Sequence, residues 1–168
     1  MDKVDSEFDD VKSEKIGPAI ILVDPQLGNN IGAAARAMLN CGLKDLRLVR
    51  PRDGWPNTAA VKMASGATEV LNNTKVFGNT LEAVSDLNLV LATTARMRDL
   101  SKTVLSPKQA ADWVIDHHAN AGRSGILFGP ERSGLVNDDI VMADAVINVP
   151  LNPDFSSLNL AQAVLLVG

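Results

Sequence analysis

The chain has 168 residues, a length typical of one compact domain, and 46% of them are hydrophobic, which supports a buried core and excludes wholesale disorder. No apolar run reaches the roughly 18 residues that suggest a membrane-spanning helix. The net charge is −4 and there is one cysteine, Cys41, so an intrachain disulfide is excluded and a cytoplasmic location is expected.

Acidic residues are concentrated at the start of the chain. Residues 1–15 hold six acidic side chains against three lysines. The sequence therefore predicts a flexible acidic tail there, which is not a secretory signal, followed by one domain over 16–168. Two basic clusters within this domain predict either solvated surface or contacts with phosphates. The clusters are Lys44, Arg47, Arg50 and Arg52, and then Arg96, Arg98 and Lys102.

From Ile16 onward, short apolar runs alternate with helical stretches, which predicts an α/β domain with a mostly parallel sheet and helices on both faces. The predicted strands are Ala19–Val23, Leu46–Val49, Lys75–Phe77, Leu89–Thr93, Gly125–Phe128 and Ala145–Val149. The predicted helices are Ile31–Cys41, 57–73 with an interruption at Gly66, Leu81–Leu87, 107 to about 118, Asn137–Ala143 and Ser157–Val167.

Capping residues mark the predicted helix ends. We expect Asn30 to cap the first helix and Gly42 to close it, and Ser106 followed by Pro107 to open the helix after the fourth strand. Ser156 or Ser157 is expected to cap the final helix. That helix is apolar nearly all round and needs cover on several sides, so we expect either a longer protein, of which this chain is the front part, or a partner.

Ligands of open parallel sheets bind beyond the carboxyl ends of the strands, and three loops at such ends have unusual sequences, 24–32, 128–135 and 152–159. The helix after the first loop carries a stripe of mostly small residues with one arginine, namely Gly32, Ala33, Arg36, Ala37 and Asn40. The stripe predicts either a close helix contact with a solvated arginine, or an arginine held over a cleft for a phosphate or a developing anion.

The other two loops leave alternatives open. Gly129 directly follows a strand, where a ligand can approach the backbone closely, and Glu131 forms either a surface ion pair with Arg132 or part of a site. The serines of the third loop suit a helix cap, a carboxylate or a ribose equally. A P-loop and the common dinucleotide fingerprint are absent, and the adjacent His117 and His118 have no second ligand cluster, so no metal is expected.

Together the three loops resemble the motifs of a known family. NNIGAAARAM, LFGPERSGL and FSSLNLAQAV stand in the order of the three motifs of the SpoU (TrmH-like) family in the SPOUT methyltransferase superfamily, and the resemblance covers about residues 17–168. The segments DPQ, TTARMR and NPDFSSLNL are most similar to the TrmJ-like subgroup, which methylates the ribose 2′-oxygen of tRNA at position 32 of the anticodon loop.

The resemblance implies a deep C-terminal trefoil knot, S-adenosylmethionine as the cofactor, an RNA substrate and a homodimer, with no metal and no membrane. TrmJ-like proteins usually continue with a C-terminal extension that helps to bind tRNA, so the chain is expected to be truncated. The alternatives are another tRNA or rRNA ribose 2′-O-methyltransferase, a non-catalytic RNA-binding module on this fold, or an unrelated α/β nucleotide-binding enzyme.

The family's functional residues match the following positions by resemblance. The expected catalytic residues are Asn30, Arg36, Glu131, Ser157 and Asn159. The expected cofactor-binding residues are Thr93, Thr94, Ala95, Gly129, Val149, Ser156, Ser157 and Leu158. Because arginine stays protonated in proteins, Arg36 is expected to stabilise the forming oxyanion or to bind the adjacent phosphate rather than to act as a base. Asn30 is expected to orient Arg36 or the ribose, and Glu131 to hold Arg36 or a neighbouring arginine.

Overall fold

The computed structural model describes residues 17–95 and 101–168, so the predicted tail and the predictions for Arg96 and Arg98 lie outside the described residues. The strands β1 to β7 are Ala19–Val23, Leu46–Val49, Lys75–Phe77, Leu89–Thr93, Val104–Leu105, Ser124–Phe128 and Ala145–Ile147. The helices α1 to α7 are Gly28–Asn40, Thr58–Ala64, Thr68–Asn72, Thr80–Val84, Pro107–Ala119, Asn137–Val141 and Leu160–Val167.

The seven strands form one sheet in the order β3-β2-β1-β6-β4-β7-β5, and each neighbouring pair is parallel. Helices α1, α2, α3, α5 and α7 cover one face and α4 and α6 cover the other, which is why β1 is buried along its whole length. The predicted α/β class is confirmed. Since the strands are parallel, their carboxyl ends meet at one edge of the sheet. No helix in the described ranges is long and apolar enough to cross a membrane.

Most predicted elements are confirmed, and the differences are shifted ends and one strand that was not predicted. The first four strands have the predicted bounds, and the helical segment after β2 is interrupted where Ser65 and Gly66 take left-handed conformations. The strand Val104–Leu105 was not predicted, because two residues carry no periodicity. Strand β7 ends at Ile147 rather than at the predicted Val149.

Two predicted helix caps are wrong, and tertiary contacts explain the first. Helix α1 begins at Gly28, whose backbone N–H donates to the carboxylate of Asp53 at 3.4 Å, so Asn30 lies inside the first turn. Helix α7 begins at Leu160, and its cap is Asn159, whose side chain accepts from the Ala161 N–H at 2.8 Å. The cap predicted at Ser106 is confirmed as part of a reciprocal capping box with Gln109.

Each member of the first basic cluster has an acidic partner, and one member is buried. Arg47 is 1% exposed, and its Nη2 atom lies 2.8 Å from Asp45 Oδ2 and 3.1 Å from Asp86 Oδ2. The other members, Lys44, Arg50 and Arg52, pair with Glu69, Asp24 and Asp53 respectively. In the second cluster, the Lys102 ammonium donates to backbone carbonyls at the end of α6. Phosphate contact is therefore excluded for the buried Arg47, and for the exposed Lys44, Arg50 and Arg52 it stays a prediction.

The predicted stripe on α1 is also not one exposed surface. A Cβ atom at Gly32 would lie 2.1 Å from the Ala60 carbonyl oxygen, so the missing side chain lets α2 pack against α1. Ala37 is buried as well, whereas Arg36 and Asn40 are exposed. The first of the two alternatives, a close helix contact, is thus confirmed for Gly32, and the contact is between α1 and α2 of the same chain.

The Arg47 side chain joins Asp45, which precedes β2, to Asp86, which precedes β4, and Asp86 also pairs with Arg123 before β6. Burial alone disfavours the charged guanidinium, but hydrogen bonds to Asp45 and Asp86 outweigh that effect and raise the pKa of Arg47. The hydrogen bond from Arg47 is the main cause that lowers the pKa of Asp86. The contribution of the Asp86 carboxylate to stability is therefore complete at pH values above the ordinary aspartate pKa. It is lost as the pH falls through the lowered pKa of Asp86 in the folded protein.

Replacing Arg47 by alanine is expected to lower the free energy of unfolding by about 3 kcal/mol, because two half-buried carboxylates lose their cation. The matched control is Lys108→Ala, whose ion pair with Asp112 is 86% and 57% exposed on its two sides. That change is expected to stay within about 0.5 kcal/mol. Denaturant unfolding compares the two variants, and similar small losses for both would contradict this view of Arg47.

Candidate functional site

A cavity of about 640 Å³ lies at the carboxyl ends of β4, β6 and β7, a size typical of small-molecule sites. Residues that follow these strands form its walls, and the segment before α7 closes one side. The walls combine apolar side chains such as Ile147 and Leu158 with hydroxyl groups and backbone polar atoms. Such a mixed lining fits a ligand that has both an apolar and a polar part.

The structure brings the expected cofactor-binding residues together around this cavity. All eight line it, and they are Thr93, Thr94, Ala95, Gly129, Val149, Ser156, Ser157 and Leu158. The Thr93 hydroxyl donates to the Leu127 carbonyl at 2.9 Å, which fixes that side chain between neighbouring strands. The two serines are exposed and lie ahead of α7 instead of capping it.

A tight turn follows β6 and brings the chain back against Gly129. The Gly134 N–H donates to the Pro130 carbonyl at 2.9 Å, and Gly134 has a φ of 69°. A Cβ atom at position 129 would lie 2.2 Å from the Leu135 nitrogen. Gly129 is therefore required by the close approach of its own loop, in addition to any approach of a ligand.

Glu131 connects this turn to the start of α1. Its Oε1 atom accepts from Asn30 Nδ2 at 2.8 Å, and its Oε2 atom accepts from the Gln26 backbone N–H at 3.1 Å. The carboxylate thus binds two donors of the first loop, over more than one hundred positions of sequence. The expectation that Glu131 holds an arginine is wrong among the described residues, since its partners there are an asparagine and a backbone amide.

Of the expected catalytic residues, Arg36, Asn30 and Asn159 do not line the cavity. Arg36 lies two turns along α1 from the Glu131 contact, and its side chain is exposed with no hydrogen bond to the described residues. Asn159 is occupied with capping α7. Asn30 is occupied by Glu131, so within the described residues it orients the loop and not Arg36. Glu131 and Ser157 do line the cavity.

The sequence did not predict the ion pair between Asp24, at the start of the first loop, and Arg50. Asp24 and Arg50 both take a left-handed backbone with a φ of 47°, which is uncommon for these residue types. Two hydrogen bonds of 2.8 and 2.9 Å join their side chains, and the hydrogen bond to Asp24 is the main cause that raises the pKa of Arg50. No local pattern could have paired them, because they follow two different strands. No group of three or more potential metal ligands occurs in 17–95 or 101–168.

The chain matches the model of the SpoU rRNA Methylase family over residues 17–168. It is 39% identical over 145 residues to the tRNA (cytidine/uridine/adenosine-2′-O-)-methyltransferase TrmJ of Pseudomonas aeruginosa, covering 86% of this chain and 56% of the relative. It is 34% identical over 152 residues to the tRNA (cytidine-2′-O-)-methyltransferase TrmJ of Methanocaldococcus jannaschii, covering 89% and 64%. The chain therefore spans less than two thirds of the length of these relatives.

Solved structures give the same result for the fold. TrmJ from Z. mobilis ZM4 superposes with a TM-score of 0.84 at 61% identity, covering 89% of this chain and 66% of that one. The SpoU methyltransferase AviRb from Streptomyces viridochromogenes, solved in complex with the cofactor AdoMet, superposes with a TM-score of 0.68 at 17% identity, covering 89% and 54%. The second likeness concerns the fold alone.

Replacing Gly129 by alanine is expected to open the turn after β6 and to cost about 1–3 kcal/mol in unfolding free energy, because the added Cβ meets backbone atoms that cannot move aside. The control is Gly78→Ala, where the nearest atom would be Glu82 Oε2 at 3.8 Å, and its effect is expected within about 0.5 kcal/mol. Amide hydrogen exchange of residues 130–135 reports the opening. Unchanged exchange in Gly129→Ala would contradict the proposed close approach.

Proposed function

We propose, from the premise that this chain belongs to the SpoU rRNA Methylase family, that it is the methyl-transferring part of an RNA methyltransferase that uses S-adenosylmethionine. The acceptor is a ribose 2′-oxygen, in a tRNA cytidine or uridine at position 32 of the anticodon loop. The relatives named TrmJ are tRNA 2′-O-methyltransferases, which supports the tRNA and the 2′-oxygen. The location in the cytoplasm and the trefoil knot stay predictions.

The Glu131 carboxylate is the observation that carries this proposal, since it joins the cavity to the helix of Arg36 through Asn30 Nδ2 at 2.8 Å. A methyl transfer needs a donor and an acceptor held in line, and catalysis is then largely positioning. In this proposal the methyl donor binds in the cavity, and the acceptor ribose lies beside the exposed Arg36. One rigid contact between them is what such a reaction requires.

The lining fits S-adenosylmethionine by its chemistry. Apolar residues at the ends of β7 and α7 suit a purine ring, and the hydroxyl groups of Ser156 and Ser157 suit a ribose or a carboxylate. When bound, the cofactor supplies an electrophilic methyl group. Gly129 keeps the turn close to the cavity wall, and Glu131 keeps the first loop beside it. These residues bind and orient the reactants.

Arg36 acts on the acceptor side. Its guanidinium stays protonated, so it stabilises the negative charge that develops on the 2′-oxygen, or it binds the phosphate next to that ribose. The 2′-oxygen would take the methyl group as the sulfonium S–C bond breaks, and its proton would pass to that phosphate or to water. Asn30 and Glu131 act through the loop position and are positioning residues within the described contacts. A planar, five-donor guanidinium suits either anion better than a lysine ammonium does.

The test incubates the full-length protein with labelled S-adenosylmethionine and total tRNA, and maps the modified ribose. We expect a 2′-O-methyl group at position 32, and we expect Arg36→Ala to reduce turnover by about 10²–10³-fold while cofactor affinity stays within about twofold. RNA binding without methyl transfer would favour a non-catalytic module. A methyl group in rRNA or elsewhere in tRNA would correct the substrate but keep the reaction.

A homodimer is also part of this proposal. On α7, Leu165 and Leu166 are 50% and 52% exposed, and Leu39 on the adjacent α1 is 36% exposed. Exposed apolar side chains on two packed helices are typical of an interface, and a twofold axis would cover both copies at once. The uncovered side of α7 agrees with the expectation that this helix needs a partner.

Light scattering is expected to give twice the 17.8 kDa chain mass at micromolar concentration. The double change Leu165→Lys/Leu166→Lys is expected to shift the sample to monomer, because two charges would enter an apolar contact. The control is Ile115→Lys on α5, which also places a lysine at an exposed aliphatic position, 64% exposed, and is expected to leave the dimer intact. A folded wild-type sample that stays at the monomer mass would contradict the dimer.

A further inference from the structure

The described arginines fall into two classes. Six arginines lie within the described ranges, and four of them are paired with aspartates, namely Arg47, Arg50, Arg52 and Arg123. The other two are Arg36 and Arg132, which have no ion pair or hydrogen bond with described residues. An unpaired arginine in a chain of net charge −4 stands out as available charge.

Arg132 lies on the turn after β6, lines the 640 Å³ cavity and is exposed, so it stands at the mouth of that cavity. Its sequence neighbour Glu131 does not neutralise it. Both oxygens of that carboxylate accept hydrogen bonds from the first loop, at 2.8 Å from Asn30 and 3.1 Å from Gln26. The surface ion pair between Glu131 and Arg132, one of the two alternatives from the sequence, is thus not formed.

The backbone around Arg132 is fixed on both sides. Before it, Glu131 is bound to the start of α1, and after it the Gly134 N–H closes the turn on Pro130 at 2.9 Å. The turn also packs closely against Gly129, where a Cβ atom would lie 2.2 Å from the Leu135 nitrogen. A charged side chain on such a preorganised turn loses less freedom on binding than one on a mobile loop.

We infer that Arg132 binds a backbone phosphate of the RNA beside the ribose that reacts, an inference that rests on the proposed function. Through Glu131, its turn is bound to Asn30 in the first turn of α1, the helix that also carries Arg36. Phosphate matches the planar fork of a guanidinium. In the first basic cluster, Arg47 is buried and the other three cations already have acidic partners, whereas Arg132 has none among the described residues.

The cofactor carboxylate is the other oxyanion that the site would hold. Arg132 is exposed at the mouth, whereas the loop serines line the cavity ahead of α7, where backbone and hydroxyl donors are available for a carboxylate. The exposed position therefore favours the larger ligand that covers the mouth. Separate measurements of the two affinities distinguish these sources.

The experiment measures the affinity of the full-length protein for unmodified total tRNA over a range of salt concentrations, together with the affinity for S-adenosylmethionine. For Arg132→Ala we expect at least about tenfold weaker tRNA binding and a log–log salt slope that is flatter by about 0.7, as for one phosphate contact to a single strand. Cofactor affinity is expected to stay within about twofold.

Two further variants sharpen the result. Arg132→Lys is expected to keep the wild-type salt slope but to bind tRNA more weakly than wild type, because a point charge replaces a bidentate fork. Lys75→Ala removes another exposed cation, on the edge strand β3, and is expected to leave slope and affinity unchanged. Unfolding midpoints equal to wild type establish that each variant is folded.

The inference is overturned if Arg132→Ala keeps the wild-type slope, or if it weakens the cofactor instead of the tRNA. These results differ from a failure of the proposed function, in which the wild-type protein itself does not transfer a methyl group to RNA. In that case the inference falls with the function. An equal change of slope in Lys75→Ala would also overturn it, because the effect would then be one of overall charge.

Discussion

The carboxylate of Glu131 is the contact on which the arrangement of the site depends. It carries two hydrogen bonds from the first loop to the turn after β6, one to an amide side chain at 2.8 Å and one to a backbone N–H at 3.1 Å. Hydrogen bonds to an ionised acceptor are stronger than those between neutral groups. Without the carboxylate, the Asn30 amide and the Gln26 N–H would lose their acceptor, at a cost in stability. The helix with Arg36 and the cavity wall with Gly129 are thereby held as one unit.

The two edges of the sheet carry different electrostatic arrangements. Residues that precede β2, β4 and β6 form a closed set of charges around Arg47, in which every guanidinium has a carboxylate partner. At the carboxyl edge, Arg50 is paired with Asp24, whereas Arg132 lines the cavity and has no ion pair with the described residues. One edge is therefore suited to stability and the other to binding anions, and the parallel direction of the strands keeps them apart.

Much of this fold could be predicted because its signals are local. The buried strand Leu89–Thr93 is a continuous apolar run, and Ser106 with Pro107 marks a helix start by its own chemistry. The three loops could be placed at one edge, and their resemblance to a family indicated the cavity residues. What failed depends on partners distant in sequence. Helix α1 begins at Gly28, two residues before Asn30, where the Gly28 N–H donates to Asp53. The buried Arg47 pairs with Asp86, which lies 39 positions further along the chain. No periodicity encodes such contacts.

The coupling between Asn30 and Glu131 tests the account most directly, through a double-mutant cycle on kcat with Asn30→Ala, Glu131→Ala and the double variant. If the two side chains act as one contact, each single change slows methyl transfer at least about tenfold and the double variant is within about twofold of the slower single. If the two losses multiply instead, the side chains act independently, and the contact that joins the loop to the cavity does not carry the reaction.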